Sequence, residues 1–119
     1  MLKTATPILA SLNAEETIKF YSEKLGFTFH SNWEGYLIFS KDEISIHLWP
    51  TNDADIPKNT GCYIYVTAVD ELYDAYQKQE IIHPNGKLKD MPWGMRQFSV
   101  LDNNGNIIHF GEDIRENKV

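Results

Sequence analysis

Helical spacing of apolar residues appears in two places along the chain. In "NAEETIKFYSEKLG", residues 13–26, Ala14, Ile18, Tyr21 and Leu25 fall on one face, as an amphipathic helix requires. Asn13 stands at the N-cap with Glu16 three residues on, and Gly26 offers a left-handed stop. In "TAVDELYDAYQK", residues 67–78, Val69, Leu72, Tyr73 and Tyr76 repeat the pattern, and Thr67 with Asp70 repeats the capping pair. The two helices start about 55 residues apart, an offset that suggests an internal duplication.

The strand-like segments follow the same offset. After the first helix come residues 27–31, 36–40 and 43–49; after the second come 81–84, 96–101 and 106–111. Each set closes in a hairpin, through "KDE" and through "DNNGN", where Asn104-Gly105 is a strong turn signal. An opening strand precedes each helix, at residues 4–9 and 62–67. The order is strand, helix, three strands, written twice: an α+β fold of two βαβββ modules, with a helix on one face of each sheet. The expected organisation is one domain over 1–119, with pseudo-repeats at about 1–58 and 59–119.

Alternation in the last strand of each module picks out two histidines. Ile44, Ile46 and Leu48 share one face, leaving Ser45, His47 and Trp49 on the other. In the second module Ile108 and Phe110 take the helix side, leaving Ile107, His109 and Gly111 opposite. His47 and His109 thus hold matching places on the side away from the helices.

Composition narrows what such a face binds. The chain carries 11 Lys and Arg against 17 Asp and Glu, a formal charge of −6. That field repels nucleic acid and anionic membranes and attracts cations. The one cysteine, Cys62, lies within "GCYIYV" and reads as a small apolar strand residue. No segment has the apolar length of a signal peptide or a membrane span, which points to a cytoplasmic protein. The serines lack a glycine-flanked elbow, and no phosphate-binding glycine loop occurs.

Aromatic residues supply the remaining chemistry. Trp93, between Pro92 and Gly94, sits where no regular element buries it on both sides. A flat ring on a rigid loop suits stacking on a planar ligand. Trp33, in a turn, and Trp49, beside His47, are further candidates. His30 and His83 read as ordinary hydrogen-bonded residues.

The stretches "TPIL", "IKFYSEKLGF", "IPKNTGCYIYVTAVDELYDAY" and "PWGMRQFSVLDNNGNIIHFGED" resemble the vicinal oxygen chelate superfamily, also called the glyoxalase/bleomycin resistance/dioxygenase fold. They run from residue 4 to about 113, and the last two resemble bleomycin resistance proteins most. The resemblance implies a strand-exchanged homodimer, with Pro7 in the exchanged arm. It implies a cleft that holds a cationic, partly aromatic, bleomycin-like antibiotic intact and away from DNA, with no catalytic residue and no cofactor. Tyr36 and Trp93 correspond to stacking positions; His30, Trp33, His47, Trp49, Asn59 and Tyr63 correspond to cleft-lining ones. His109 joins them through its match to His47.

Enzymes of that superfamily hold a divalent metal with four positions, usually His and Glu. Two correspond to His47 and His109; the others fall at Thr6-Pro7 and Gly61-Cys62, with no matched carboxylate. Two histidines fall short of the ligand sets of zinc or non-haem iron sites, so no metal site is expected. The alternative is a metal-dependent lyase, isomerase or dioxygenase using His47 and His109. A third reading is a binding protein for another small aromatic ligand.

Overall fold

The computed structural model describes residues 1–115. They divide into two compact units, the first comprising 1–60 with 103–106, the second 61–102 with the segment from 107 onward.

Unit 1 contains β1 (Ile8–Ser11), α1 (Ala14–Lys19), β2 (Thr28–Trp33), β3 (Tyr36–Lys41) and β4 (Ile44–Pro50). Its sheet runs β1-β4-β3-β2, with β1 parallel to β4 and the other pairs antiparallel. The parallel pair needs a crossover, and α1 with the strands after it supplies one. Asn13 caps α1 as expected, its Oδ1 accepting the Glu16 N–H at 3.0 Å. Beyond Lys19 the helix widens into a π-turn over Phe20–Lys24, closed by Leu25 N–H on the Phe20 carbonyl. Tyr21 and Leu25, four apart, both face inward and are buried. Gly26 ends the helix at φ 77°. Tyr21 stacks on Phe39 of β3 at 5.1 Å between ring centres, and Leu9, Leu37, Ile46 and Leu48 complete the core.

Unit 2 contains β5 (Gly61–Tyr65), α2 (Val69–Lys78), β6 (Lys89–Asp90), β7 (Met95–Leu101) and β8 (Ile107–Asp113). Its sheet runs β5-β8-β7-β6, again with a parallel first pair. Phe98 and Phe110, paired across β7 and β8, stack at 5.2 Å, and Tyr76 of α2 meets Phe110 at 5.5 Å. The expected α+β layout, strand–helix–three strands in each half, is the one found.

Four local expectations need correction. Residues 81–84 form no strand: after a single bridge from Ile82 to Val100, the chain turns over 83–86. That turn bonds directly to β7, His83 N–H to the Ser99 carbonyl and Ser99 N–H to the Gly86 carbonyl, each at 2.9 Å. The opening strand of unit 1 starts at Ile8, later than residue 4. Thr67 does not cap α2. The N-cap is Ala68, at φ 54° and without a side-chain bond, and the Val69 N–H is taken by Glu112 of β8 at 3.1 Å. In α1 the deepest residue is Thr17, whereas Ala14 and Ile18 are only half-buried.

Thr17 is buried because its hydroxyl has partners. Its Oγ lies 2.9 Å from the Ser11 Oγ and 3.2 Å from the Asn104 amide nitrogen. Asn104 Oδ1 also accepts the Leu12 N–H at 2.9 Å. Asn106, fully buried, donates to the Ala10 carbonyl at 2.8 Å and accepts the Ala10 N–H at 3.4 Å. These two side chains satisfy edge groups of β1 as a neighbouring strand's backbone would.

Candidate functional site: aromatic sheet faces

Period-two alternation gives each sheet one packed face and one open face. In unit 1 the register sets His47 of β4 between Ile8 of β1 and Ile38 of β3, and Trp33 of β2 opposite Tyr36 of β3. Ile46 and Leu48 turn the other way and are fully buried. The Tyr36 hydroxyl meets His47 Nδ1 at 2.9 Å, with the rings edge-on at 5.5 Å and 77°. That bond fixes both rings. Beside them Trp33 is 71% exposed and Trp49 37% exposed, an apolar aromatic surface left in water.

Two residues of the expected set stand apart from this pair. His30 is the extra residue where the β2–β3 register shifts between Phe29 and Ser31, and its Nε2 bonds the Ser40 hydroxyl. Asn59 lies in the 3₁₀ turn Pro57–Asn59 and donates its amide to the Asp55 carbonyl at 2.8 Å. It braces the 53–59 loop.

In unit 2 the open face holds Tyr63 and Tyr65 of β5, His109 of β8 and Ser99 of β7. Tyr63 and His109 lie 5.9 Å apart between ring centres, tilted by 31°. Tyr63 donates its hydroxyl to Gln97 Oε1 at 2.8 Å, and His109 Nδ1 meets the Ser99 hydroxyl at 2.7 Å. Burial, and secondarily the neighbouring Tyr65, push the Tyr63 phenol above its ordinary value. Burial first, and His83 second, lower the His109 pKa, which favours the neutral ring. Tyr65, Gln97 and Ser99 were not among the expected site residues. For Tyr65 the signal was available, two positions from Tyr63 and so on the same face.

Trp93 occupies a tight turn closed by Gly94 N–H on the Met91 carbonyl at 3.0 Å, and it is 55% exposed. Gly94 has φ 85°, and a side chain there would collide with Arg115 at 2.2 Å. Arg115 is held by a 2.8 Å ion pair to Asp113, whose carboxyl drops to about 2 through hydrogen bonding to Arg115. The ring is thus presented on a turn backed by an ion pair.

The donor set does not suit a divalent metal. Among the described residues no three His, Cys, Asp or Glu side chains converge. Cys62 pairs with Ile108 on the helix side of β5, and burial, then Asp102, push its thiol up to about 11. A thiolate there is strongly disfavoured. Thr6 and Pro7 bring neither imidazole nor carboxylate. No helix among the described residues is long and apolar enough to cross a membrane.

Each unit of this chain thus has a four-stranded sheet of the same order with a histidine in its final strand. Residues 7–110 match the Glyoxalase/Bleomycin resistance protein/Dioxygenase superfamily, and the chain belongs to that family. A bleomycin resistance protein of Geobacillus stearothermophilus is 35% identical over 126 aligned positions, covering 92% of this chain and 96% of its own. The bleomycin-binding protein of bleomycin-producing Streptomyces verticillus, solved with copper(II)-bleomycin, superposes with a TM-score of 0.79 at 25% identity. That alignment covers 92% of this chain and 97% of the other. A bleomycin resistance determinant encoded on the transposon Tn5 shares the fold, with a TM-score of 0.82 at 19% identity over 94% and 98% of the two chains.

Proposed function

We propose that this chain binds a bleomycin-type antibiotic and confers resistance by sequestration, without chemical turnover. The observation that carries the reading is the Tyr36–His47 pair. A 2.9 Å bond locks a phenol and an imidazole on an open sheet face flanked by the exposed Trp33 and Trp49. Preorganised rings lose little entropy when a planar group stacks on them. Unit 2 carries surface of the same kind in Trp93, Tyr63 and His109, and His30 and Asn59 of unit 1 are assigned to the binding set as well. The formal charge of −6 favours a cationic ligand and acts chiefly on its rate of arrival.

The reading extends to assembly. Ile8, Trp33, Trp49, Tyr63, Tyr65 and Leu101 are large apolar residues left exposed on strands. A second copy, with the opening strand exchanged, would cover part of them in a two-fold dimer burying more than roughly 1,200 Å². The chain is then one cytoplasmic domain over 1–119, formed by duplication of one βαβββ module. The equal strand order of its two sheets supports this.

The experiment is a calorimetric titration of bleomycin, with tryptophan fluorescence followed in parallel and sedimentation at micromolar concentration. Saturable binding by a dimer, with the drug recovered unmodified, is the expected result. Modified drug, or no binding at all, overturns it.

A further inference from the structure

Within unit 2 a cavity of about 230 Å³ opens between the 83–86 turn and the β7–β8 face. Its polar side chains are those of His83, Asn85, Lys87, Lys89, Gln97, Ser99 and His109, with no carboxylate, in a chain whose formal charge is −6. Two backbone carbonyls of this wall are engaged within it. The Gly86 carbonyl receives Ser99 N–H, and the Ser99 carbonyl receives His83 N–H. Gln97, only 6% exposed, accepts the Tyr63 hydroxyl on Oε1, so its amide NH₂ is what remains to offer. His83 Nδ1 accepts the Asn85 N–H at 3.0 Å, which leaves Nε2 to carry the ring proton. Among the described residues neither Lys87 nor Lys89 has an ion-pair partner.

A recess that presents N–H donors and two ammonium groups, and no carboxylate, suits an acceptor-rich anion. The geometry points to a binding site for an oxyanionic group, the phosphate or sulfate ester of a small molecule, held by Lys87, Lys89, His83 Nε2 and the Gln97 amide. Met91, Phe98 and Ile107 give it an apolar wall for the organic part. The volume lies below the roughly 300–1,000 Å³ of drug-sized pockets, so the fit is to a fragment. The neighbouring His109, which burial and His83 keep in its neutral form, gains a reason to protonate once an anion is seated. This site shares His109 with the proposed antibiotic surface, does not depend on that reading, and takes a ligand of opposite charge.

The test uses the full chain, titrated at constant ionic strength with inorganic phosphate and with phenyl phosphate. Histidine ring and Gly86 amide signals are followed by NMR. Saturable shifts confined to His83, His109 and Gly86 are expected, with phenyl phosphate binding at least threefold tighter through the apolar wall. The double variant Lys87→Gln/Lys89→Gln should weaken phenyl phosphate at least tenfold at an unchanged melting temperature. Shifts that never saturate, or that persist in the double variant, mean an adventitious ion only and overturn the site. Equal affinity for both probes overturns the ester assignment. Bleomycin titrated into the same samples separates the two readings. Drug binding without a phosphate response removes this site alone, and the converse removes the antibiotic reading alone.

Discussion

The Tyr63 hydroxyl crosses the strand pair directly over Gly111 on its way to Gln97. A Cβ built on Gly111 would lie 2.1 Å from that oxygen and 2.8 Å from the ring carbon bearing it. Glycine at 111 is therefore a condition for the orientation of a site tyrosine. Its backbone is ordinary for a strand, so the constraint is space and not φ.

Gly111→Ala should displace the Tyr63 ring, break its bond to Gln97 and cost roughly 1–3 kcal/mol of stability, the usual scale of overpacking. Chemical denaturation measures it. Adding Tyr63→Ala should relieve the clash, so the double variant should lose much less than the sum of the singles. Additive losses would mean that the ring does not occupy this space.

Removing the Trp93 ring should hurt binding far more than folding. Trp93→Ala is expected to lose roughly 1–3 kcal/mol of bleomycin affinity, the range for truncated stacking platforms. That is a Kd weaker by about five- to 140-fold, at about 1.4 kcal/mol per decade. Trp93→Phe should recover part of it. Calorimetry with a melting curve for each variant separates the effects, because a ring 55% exposed on a turn contributes little to the core. Equal affinities in all three proteins would remove Trp93 from the site.

Glu112→Ala removes the carboxylate that receives the Val69 N–H at the start of α2. The expected loss is about 0.5–2 kcal/mol, as for other N-caps, read from urea midpoints. Glu112→Gln keeps an acceptor and should lose less. Thr67→Ala, the cap that sequence spacing suggested, should be nearly silent.

Acid should weaken the fold through His109. Its folded pKa lies below the ordinary 6.5, so the unfolded chain takes up the proton more readily. The contribution is complete above about pH 6.5 and is lost as pH falls through the lowered folded value. Melting temperatures of wild type and His109→Gln, measured from about pH 8 down to 5, should therefore converge on the acid side. Parallel curves would show that the ring does not titrate differently on folding.

Much of this fold was legible because its signals are local. Ile46 and Leu48, or Ile108 and Phe110, announce a buried face by alternation alone, and Gly26 and Gly105 mark a helix end and a hairpin. The misses share a cause. Thr17 is deeply buried because its partner is Asn104, far along the chain, and α2 is capped by Glu112 from the last strand. Neither pairing leaves a trace in local spacing. Residues 81–84 look like a strand, but Gly86 approaches Ser99 so closely that a Cβ would sit 2.6 Å from the serine Cβ, and the chain turns there. His47, Trp49 and His109 could be placed on their faces from alternation. Gln97 could not, since its role comes from a tyrosine on another strand.

Unit 1 also has an order of assembly written into it. Residues 1–60 leave the ribosome first, yet Asn104 and Asn106, which occupy Leu12, Thr17 and Ala10, arrive only after 43 more residues (103 − 60) have been made. At about 5–20 residues per second that is roughly 2–9 s, during which the Ala10 and Leu12 backbone groups lack these side-chain partners. The first half of the chain is therefore synthesised as an unfinished piece, and a nascent protein stalled before residue 106 should be the form most open to proteases and chaperones.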